Sequence, residues 1–380
     1  MIISSYKRSF GKTSKVSLFT LGTMRATESL EKMYTLIKKA HQVGINHIET
    51  AASYGDAEIL VGRALKKLES SDNISKEDWI ITTKVLPKGD FHFLKNNFKN
   101  SLRNLKLKKI DNLAIHGINL KNHLNWALFG EGKKFLEWII EEKLVEQIGF
   151  SSHGSYSLIE EAINCEVFSF CNLHLHYFDQ SKIKLAELAL KKGMGVLAIS
   201  PADKGGKLYS PSKILLEASK PFHPLELAYR FLLSKGVTTL SLGATRVEDF
   251  ELAKKLRNSY QKLSKFEIKA FQNLESIAKD RLNTTKCEQC GFCLPCPNEI
   301  PIPEILRLRN ISLGYGQIEF AKERYNLIGR ADHWWEEKDS SYCKECQKCV
   351  PKCPCKLDIP FLLGQTHHLL AENPRKRLWD

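Results

Sequence analysis

Short apolar runs alternate with helical patterns through most of the chain. The runs are rich in Val, Ile, Leu and Phe, as β-strands are, and between them apolar residues recur at the three-to-four spacing of a helix. Strands alternating with helices eight times predict an α/β fold, a parallel (β/α)8 TIM barrel with outer helices. A doubly wound sheet is the alternative, but no Gly-x-Gly-x-x-Gly follows the first strand. The predicted strands are residues 16–22, 45–50, 79–85, 110–116, 145–151, 166–176, 194–200 and 237–243.

The last helical pattern, KFEIKAFQNLESIAKDRL, leads into a cysteine-rich region. A chain of 380 residues with 43% apolar content is long enough for one large core and a second, small domain. We therefore predict a barrel domain over 1–285 and a cysteine-rich domain over 286–380.

Four polar residues follow or end the predicted strands two, three and four: Glu49, Tyr54, Lys84 and His116. In a barrel of this type, function collects at the C-terminal ends of the strands. An ammonium beside a tyrosine lowers the pKa of the phenol, a carboxylate holds the lysine, and histidine orients a carbonyl oxygen. Proton delivery to a carbonyl is one interpretation. Four unrelated residues at the rim are the other.

The blocks ETAASYG, TTKV, LAIHGIN, IGFSSHGS, ISPADKGGKL and SLGATRVEDFE resemble, in order, those of the aldo/keto reductase superfamily. The resemblance implies a barrel that uses NADPH to reduce a small-molecule carbonyl substrate. It implies Tyr54 as the general acid, Lys84 as the group that adjusts its pKa, and His116 as the group that orients the substrate. Glu49 stands where the family has Asp, so its longer side chain must fold back or displace the lysine to make the same contact.

The resemblance also implies a cofactor site at the ends of strands five to eight. Ser152 and Asn172 replace the family's Asn and Gln, and Ile199 replaces its stacking aromatic residue, so a stacking face is missing. Backbone amides before the last barrel helix and the guanidinium of Arg246 suit the cofactor's phosphates, although Arg246 could instead be an ordinary surface residue. The predicted cofactor-binding residues are Ser151, Ser152, Asn172, Ser200, Gly243, Ala244, Thr245 and Arg246.

The cysteine-rich region contains two runs, CEQCGFCLPCP and CKECQKCVPKCP. The second is the bacterial ferredoxin run C-x2-C-x2-C-x3-C-P, whose fourth cysteine serves the other cluster. The first run has one residue fewer between its third and fourth cysteines. It resembles the first run of the aldo/keto reductase subgroup that has a C-terminal ferredoxin-like domain, and this resemblance implies two 4Fe-4S clusters. Zinc is the alternative, but zinc sites have no use for a third cysteine in each loop. The predicted ligands are Cys287, Cys290, Cys293 and Cys353 for cluster one, and Cys343, Cys346, Cys349 and Cys296 for cluster two.

Three cysteines are left over, and two histidines lie close together on a predicted strand. Cys165 and Cys171 are predicted to be small apolar residues in or beside strand six, and Cys355 has no assigned role. His174 and His176 alternate with Leu on the same strand, which favours a place in the core or at a pocket rim over metal ligation.

The formal net charge is +14, and all of the excess lies in residues 1–286, which carry 44 basic and 30 acidic side chains. The charges are scattered over predicted helices without an aromatic-interleaved basic stripe, which argues against a nucleic-acid partner. No apolar run is long enough to span a membrane and no signal peptide is apparent, so we expect a cytoplasmic protein whose thiols stay reduced.

The sequence is compatible with two functions. One is an NADPH-linked reductase whose clusters relay electrons, with a redox protein as a possible partner, or stabilise the tail. A hydride carries two electrons and a cluster accepts one, so direct transfer needs a mediator, and no flavin motif is present. The other is a non-catalytic electron-transfer or redox-sensing module in which the barrel is a docking scaffold.

Overall fold

The computed structural model describes residues 5–202, 204–330 and 337–372. The chain forms two compact units. The barrel unit comprises Met1–Leu175, Lys182–Pro201 and Tyr229–Lys262, and the cysteine-rich unit comprises His176–Ser181, Ala202–Ala228 and Leu263–Asp380. The second unit thus contains the predicted tail domain together with two segments that follow barrel strands. Among the described residues, no helix has both the length and the apolarity to cross a bilayer.

A closed barrel of eight parallel strands forms the centre of the barrel unit. The strands pair in chain order, and the last pairs with the first, with Leu240 opposite Phe19. The predicted barrel and its eight strands are confirmed. The strands of the chain are β1 (Lys7–Phe10), β2 (Ser14–Ser17), β3 (Phe19–Gly22), β4 (His47–Glu49), β5 (Ile80–Val85), β6 (Ile110–Ile115), β7 (Val145–Ser152), β8 (Phe170–His174), β9 (Gly195–Ile199) and β10 (Thr239–Leu242), of which β3 to β10 form the barrel.

The helices are amphipathic and begin at side-chain caps where the sequence supplies them. In α1 the buried positions Met33, Leu36, Ile37 and Ala40 follow the helical spacing, and Ser29 accepts a hydrogen bond from the Lys32 amide at the start. The α-helices are α1 (Leu30–Gln42), α2 (Ala57–Asp72), α3 (Phe91–Leu105), α4 (Lys121–Phe129), α5 (Glu131–Glu141), α6 (Tyr156–Asn164), α7 (Ile183–Lys191), α8 (Lys213–Ala218), α9 (Pro224–Ser234), α10 (Glu251–Leu256), α11 (Lys265–Leu282), α12 (Ile302–Arg309), α13 (Ile318–Tyr325) and α14 (Ile359–Leu370).

An antiparallel hairpin of β1 and β2 precedes the barrel. The prediction of one strand over 16–22 was wrong in this respect, because its first residues pair with β1 and only Phe19–Gly22 enters the barrel. The hairpin packs Phe10, which is fully buried, against Phe170 with ring centroids 4.8 Å apart. Gly11 at its turn has φ +69°, and a Cβ there would lie 2.3 Å from the amide oxygen of Gln147. Only glycine suits that turn.

A belt of buried polar side chains crosses the interior of the barrel. His47 shares one ring nitrogen with the Thr20 hydroxyl at 2.8 Å and the other with the Thr82 hydroxyl at 2.7 Å. Burial, with a smaller contribution from the charge of Lys84, lowers the pKa of His47 to about 3, so the ring is neutral. The belt consists of Thr239, Thr20, His47, Thr82, Asn112 and Gln147, each bonded to the next.

The cysteine-rich unit has a continuous apolar core. It includes Ala270 and Leu274 of α11, Ile305 of α12 and Leu363 of α14. Most of the cysteines of the two runs pack against this core. Tyr325 at the end of α13 shares hydrogen bonds with the Ser340 hydroxyl at 2.7 Å and with His367 of α14 at 2.6 Å, so polar contacts connect the segments on either side of the second run.

Candidate active site

The ammonium of Lys84 lies at the centre of the polar group at the C-terminal end of the barrel. Its side chain is 2% exposed and its three N–H donors have three acceptors. It donates to the Thr50 carbonyl at 2.9 Å, to the Tyr54 hydroxyl at 3.0 Å and to the Glu49 carboxylate. Because lysine has no acceptor, the Tyr54 oxygen accepts in this contact and its own proton remains available for another partner.

The strand ends explain how these residues meet. Glu49 ends β4 and pairs in register with Thr82, two residues before Lys84 on β5. Since side chains two apart share a face of a strand, Lys84 lies one layer further toward the C-terminal end. Tyr54 is held by a turn in which its amide donates to the Ala51 carbonyl at 3.0 Å. The additional methylene of Glu49 therefore does not prevent the carboxylate from contacting the lysine.

Burial is the largest influence on Tyr54 and raises its pKa above the ordinary value of 10.0. Lys84 lowers the pKa of Tyr54, as predicted, but by less than burial raises it. Burial lowers the pKa of Lys84. The negative charge of Glu49, and to a smaller extent the Tyr54 oxygen, raise it by more than burial lowers it, so the pKa of Lys84 lies above 10.5. At neutral pH the site thus holds a protonated phenol and a charged ammonium.

His116 follows β6, and its ring is perpendicular to that of Tyr54, with centroids 5.7 Å apart and planes at 87°. Its Nδ1 shares a hydrogen bond with the Ser53 hydroxyl at 3.0 Å. Burial first, and then the charge of Lys84, lower the pKa of His116 to about 3. The imidazole is therefore neutral and can orient an oxygen by a hydrogen bond without contributing charge.

Asn172 of β8 joins the same group. The residue is fully buried, and its Nδ2 donates to Glu49 Oε1 at 3.4 Å. Its Oδ1 is also buried and has no hydrogen-bond partner among the described residues. A buried carbonyl oxygen without a donor is costly, so a ligand that brings an N–H to this position would be stabilised.

Three other predicted cofactor residues lie on or directly after β7 and β9, and two of them, Ser151 and Ser152, have local hydrogen-bond partners. The Ser151 hydroxyl accepts from the Gly117 amide at 3.0 Å. Ser152 is fully buried; its hydroxyl donates to the Ile118 carbonyl at 2.5 Å and accepts from the Gly154 amide at 3.0 Å. Ser200 is half-buried after β9 with φ +48°. As cofactor contacts, these three residues remain predictions.

The loop after β10 carries an internal carboxylate, Asp249, that the sequence pattern does not predict. Asp249 Oδ2 accepts from the Thr245 amide at 2.8 Å and from the Arg246 amide at 3.2 Å, while Asp249 Oδ1 accepts from Arg246 Nε at 3.2 Å. The predicted phosphate donors therefore bind a side chain of their own loop. Gly243 and Arg246 are exposed, and Ala244 is buried.

Residues 19–213 match the model of the Aldo/keto reductase family. The chain belongs to this family. It is therefore an oxidoreductase of the aldo/keto reductase type, and the group around Lys84 lies within the matched region. The family match ends before the cysteine-rich runs.

Curated aldo/keto reductase relatives are similar at moderate identity. A methylglyoxal reductase of Escherichia coli (strain K12) is 28% identical over 231 residues, which are 59% of this chain and 78% of that protein. An aldo-keto reductase of Strobilurus tenacellus is 25% identical over 211 residues, which are 53% of this chain and 60% of that protein. A 9,11-endoperoxide prostaglandin H2 reductase of Trypanosoma cruzi is 27% identical over 226 residues, 58% of this chain and 75% of that protein.

Solved structures support the aldo/keto reductase fold. The holo form of an aldo-keto reductase from Bacillus halodurans aligns with a TM-score of 0.61 at 20% identity, over 71% of this chain and 96% of that one. The Bombyx mori aldo-keto reductase in complex with NADP aligns with a TM-score of 0.57 at 18% identity, over 71% of this chain and 93% of that one.

The predicted cluster ligands line two cavities in the cysteine-rich unit. One cavity is lined by Cys293, Cys296, Cys343, Cys346 and Cys349, and the other by Cys287, Cys290, Cys293, Cys353 and Cys355, so Cys293 lines both. Burial raises the pKa of Cys287 to about 11 and that of Cys293 to about 12. In the part of the chain that the structure describes, no three Cys, His, Asp or Glu side chains are arranged to hold a single metal ion.

The structure also places two cysteines and two histidines that the sequence predicts to be buried or at a pocket rim. Cys171 is fully buried on β8 and Cys165 is half-buried after α6, in agreement with their prediction as small apolar residues. His176 is 4% exposed in the cysteine-rich unit, which agrees with its predicted place in the core or at a pocket rim. The prediction that it shares a strand with His174 was wrong, because β8 ends at His174. His174 is half-buried in the barrel unit, and the two histidines therefore belong to different units.

Proposed function

We propose that the chain reduces a small-molecule carbonyl with NADPH, with Tyr54 as the general acid. The contact of the Lys84 ammonium with both Tyr54 and Glu49 in a buried site supports this proposal most strongly. Because Lys84 is the donor in this contact, the Tyr54 hydroxyl keeps its proton and can donate it to another group. These are the properties that a proton donor to a carbonyl oxygen needs.

Each residue of the site has one task in the proposed reaction. Tyr54 donates its proton to the carbonyl oxygen as the carbonyl carbon is reduced, and the adjacent Lys84 charge stabilises the phenolate that remains. Glu49 keeps Lys84 charged and fixed in position. Neutral His116, whose ring is perpendicular to that of Tyr54, directs the carbonyl oxygen toward the phenol.

The cofactor fits best at Asn172. The buried Oδ1 of Asn172 lacks a donor among the described residues, and the carboxamide N–H of a nicotinamide is such a donor. When bound, the reduced nicotinamide supplies the hydride. Arg246, whose side chain is 73% exposed, and the amides of the loop after β10 would hold its phosphates, in competition with Asp249.

Turnover of a carbonyl panel tests the proposal. Anaerobically purified protein is mixed with NADPH and aldehydes or ketones, and absorbance at the nicotinamide band is followed. Tyr54→Phe should reduce the rate by at least about a hundredfold, since general acid catalysis contributes that much. Tyr156→Phe, which removes a hydroxyl from the surface of α6, serves as the matched control. Turnover that survives Tyr54→Phe would remove Tyr54 from its role.

We also propose that the cysteine-rich unit binds two 4Fe-4S clusters, in a domain over 286–380, with the ligands that the sequence predicts. The lining of the two cavities supports this, because each contains one complete predicted set, the fourth member of which comes from the other run. Among the described residues no three Cys, His, Asp or Glu side chains are arranged around a single metal ion, which argues against zinc. A single zinc ion draws four sulfurs to about 2.3 Å from one point, whereas each thiolate of a cubane binds a different iron and the sulfurs lie further apart.

Iron and acid-labile sulfide assays on oxygen-free protein test the clusters separately from the reductase activity. About eight iron and eight sulfide per chain are expected for two cubanes. Zinc in place of iron would overturn the cluster assignment and would leave the Tyr54 test unaffected. The clusters either exchange electrons with a redox protein or stabilise the tail, and an EPR titration with NADPH distinguishes these roles.

A redox module without catalysis is the second candidate. The occupation of the Thr245 and Arg246 amides by Asp249, and Ile199 in place of an aromatic residue, favour it. If the protein is such a module, the clusters are present and NADPH is neither bound nor oxidised. A binding titration with NADPH separates the two functions before any substrate is known.

A further inference from the structure

The second cysteine run carries a group of exposed positive charges. Residues 343–356 contain four lysines and one acidic residue, whereas the rest of residues 287–380 contains nine basic and twelve acidic side chains. All four lysines are exposed, and in the part of the chain that the structure describes no carboxylate forms an ion pair with any of them. Together they form a lysine-rich surface of Lys344, Lys348, Lys352 and Lys356.

The lysine-rich surface lies at the two cavities that the predicted cluster ligands line. Lys348 itself lines one cavity. Lys344 is next in sequence to a cysteine of the same lining, and Lys352 and Lys356 are each next to a cysteine that lines the other cavity. Neighbouring Cα atoms are about 3.8 Å apart. Cys346 is exposed as well. A protein bound to these lysines would therefore lie beside the sulfur atoms that are proposed to hold the clusters.

Exposed aromatic side chains flank the cavity that Lys348 lines. Phe361 is 63% exposed and directly follows Pro360, which belongs to the lining of that cavity. Tyr342 is 56% exposed and directly precedes Cys343, which belongs to the same lining. Protein interfaces combine aromatic anchors with a polar, charged rim. The neighbourhood of this cavity therefore contains both kinds of residue that a protein interface uses.

We propose that the lysine-rich surface binds an acidic electron-carrier protein that contains a flavin, of the flavodoxin class. The proposal rests on the proposed clusters and specifies their redox partner. Lysines without counter-charges attract a protein with surface carboxylates, and this complementarity acts mainly on the rate of association. A hydride carries two electrons and a cluster accepts one, and a flavin is a cofactor that takes part in both hydride and one-electron chemistry. A flavin carrier therefore fits this position better than a carrier of single electrons alone.

Binding of a purified acidic flavodoxin to the full-length protein, isolated without oxygen, tests the surface. The Kd is measured by calorimetry at about 0.05 M and about 0.5 M NaCl, since salt screens exposed charges. Wild type is compared with Lys344→Glu/Lys352→Glu, which leaves Lys348 at the cavity unchanged. The matched control is Lys99→Glu/Lys108→Glu, which reverses two exposed charges of the barrel unit.

We expect Lys344→Glu/Lys352→Glu to raise Kd at least about tenfold at low salt, and the control to change it less than about twofold. High salt should weaken binding to wild type. Equal Kd in wild type and Lys344→Glu/Lys352→Glu, or binding to wild type that salt does not weaken, would overturn the proposal. An acidic 2Fe-2S ferredoxin or a DNA duplex that binds more tightly than the flavodoxin would overturn the flavin carrier as the partner.

Cross-linking of the wild type gives an answer even if a variant does not fold. A water-soluble carbodiimide joins lysine amines to carboxylates, and peptide mass spectra should place the links to flavodoxin on the lysine-rich surface. Links only on lysines of the barrel unit would overturn the proposal. The iron assay separates this result from that for the clusters. Protein with a full iron content that does not bind flavodoxin contradicts the docking surface alone, and iron-free protein that binds it contradicts the clusters alone.

Discussion

The Glu49 carboxylate and the Lys84 ammonium form an ion pair in which both side chains are almost completely buried, 6% and 2% exposed. Breaking a buried pair by removing one charge costs about 3–5 kcal/mol, because the other charge stays buried without a counter-charge. We therefore expect Glu49→Gln to lower the free energy of unfolding by about that amount, measured by urea denaturation. Glu49→Asp keeps the charge and should lose less than half as much. Equal stability of Glu49→Gln and wild type would contradict the pairing.

The pH dependence of carbonyl reduction follows from the two shifted groups. Tyr54 must be protonated to act as an acid, and its raised pKa keeps it so up to pH values above 10. The pKa of His116 is about 3, so this ring does not titrate near neutrality. We expect kcat to stay level between about pH 5 and 9 and to fall only at higher pH. An inflection near pH 6 to 7 that disappears in His116→Gln would show a charged imidazole instead.

Removing the carboxylate of Asp249 should strengthen the binding of NADPH. The negatively charged carboxylate of Asp249 accepts hydrogen bonds from the amides of Thr245 and Arg246. The cofactor's phosphates would need the same two amides. Asp249→Asn keeps a hydrogen-bond acceptor for the loop and removes the charge. At a partly exposed site the loss of this charge should improve NADPH binding by about 1 kcal/mol, which lowers Kd about fivefold. Glu248→Gln removes a charge from the adjacent residue and is the control. Unchanged NADPH affinity in Asp249→Asn would place the phosphates elsewhere.

Cys353 and Cys355 both line the cavity of the proposed first cluster, although a cubane binds four thiolates. The ferredoxin spacing assigns the ligand role to Cys353. Cys353→Ser should therefore halve the iron content, from about eight to about four per chain, and Cys355→Ser should leave it unchanged. The reverse pattern would exchange the roles of the two cysteines. Full iron content in both variants would indicate that either thiol can complete the cluster.

The architecture was predictable from the sequence because each barrel strand is a short apolar run followed by a helical pattern. The hairpin was missed because VSLFTLG reads as one continuous strand, and only pairing with Lys7–Phe10 shows that it is divided. The polar group around Lys84 was predictable because the strand ends of a parallel barrel meet at one rim.

Three features of the site depend on the folded chain and could not be predicted. The direction of the Tyr54 pKa depends on how deeply the phenol is buried, which no local sequence specifies. Asp249 reaches amides three and four residues earlier through a turn whose geometry the sequence leaves open. His153 and His174 are 21 residues apart and meet only through the register of β7 and β8.

The hydrogen bond between Thr20 and Thr239, 2.8 Å long, joins the first and last barrel strands from within. His47 depends on Thr20 for one of its two ring contacts, so this array of buried bonds is complete only after the ribosome has added residue 239. An incomplete chain would bury polar groups without partners, at a cost of about 1–3 kcal/mol each. Nascent barrels are therefore expected to remain open and protease-sensitive until synthesis reaches the final strand, and C-terminal truncations before it should be degraded rather than partly active.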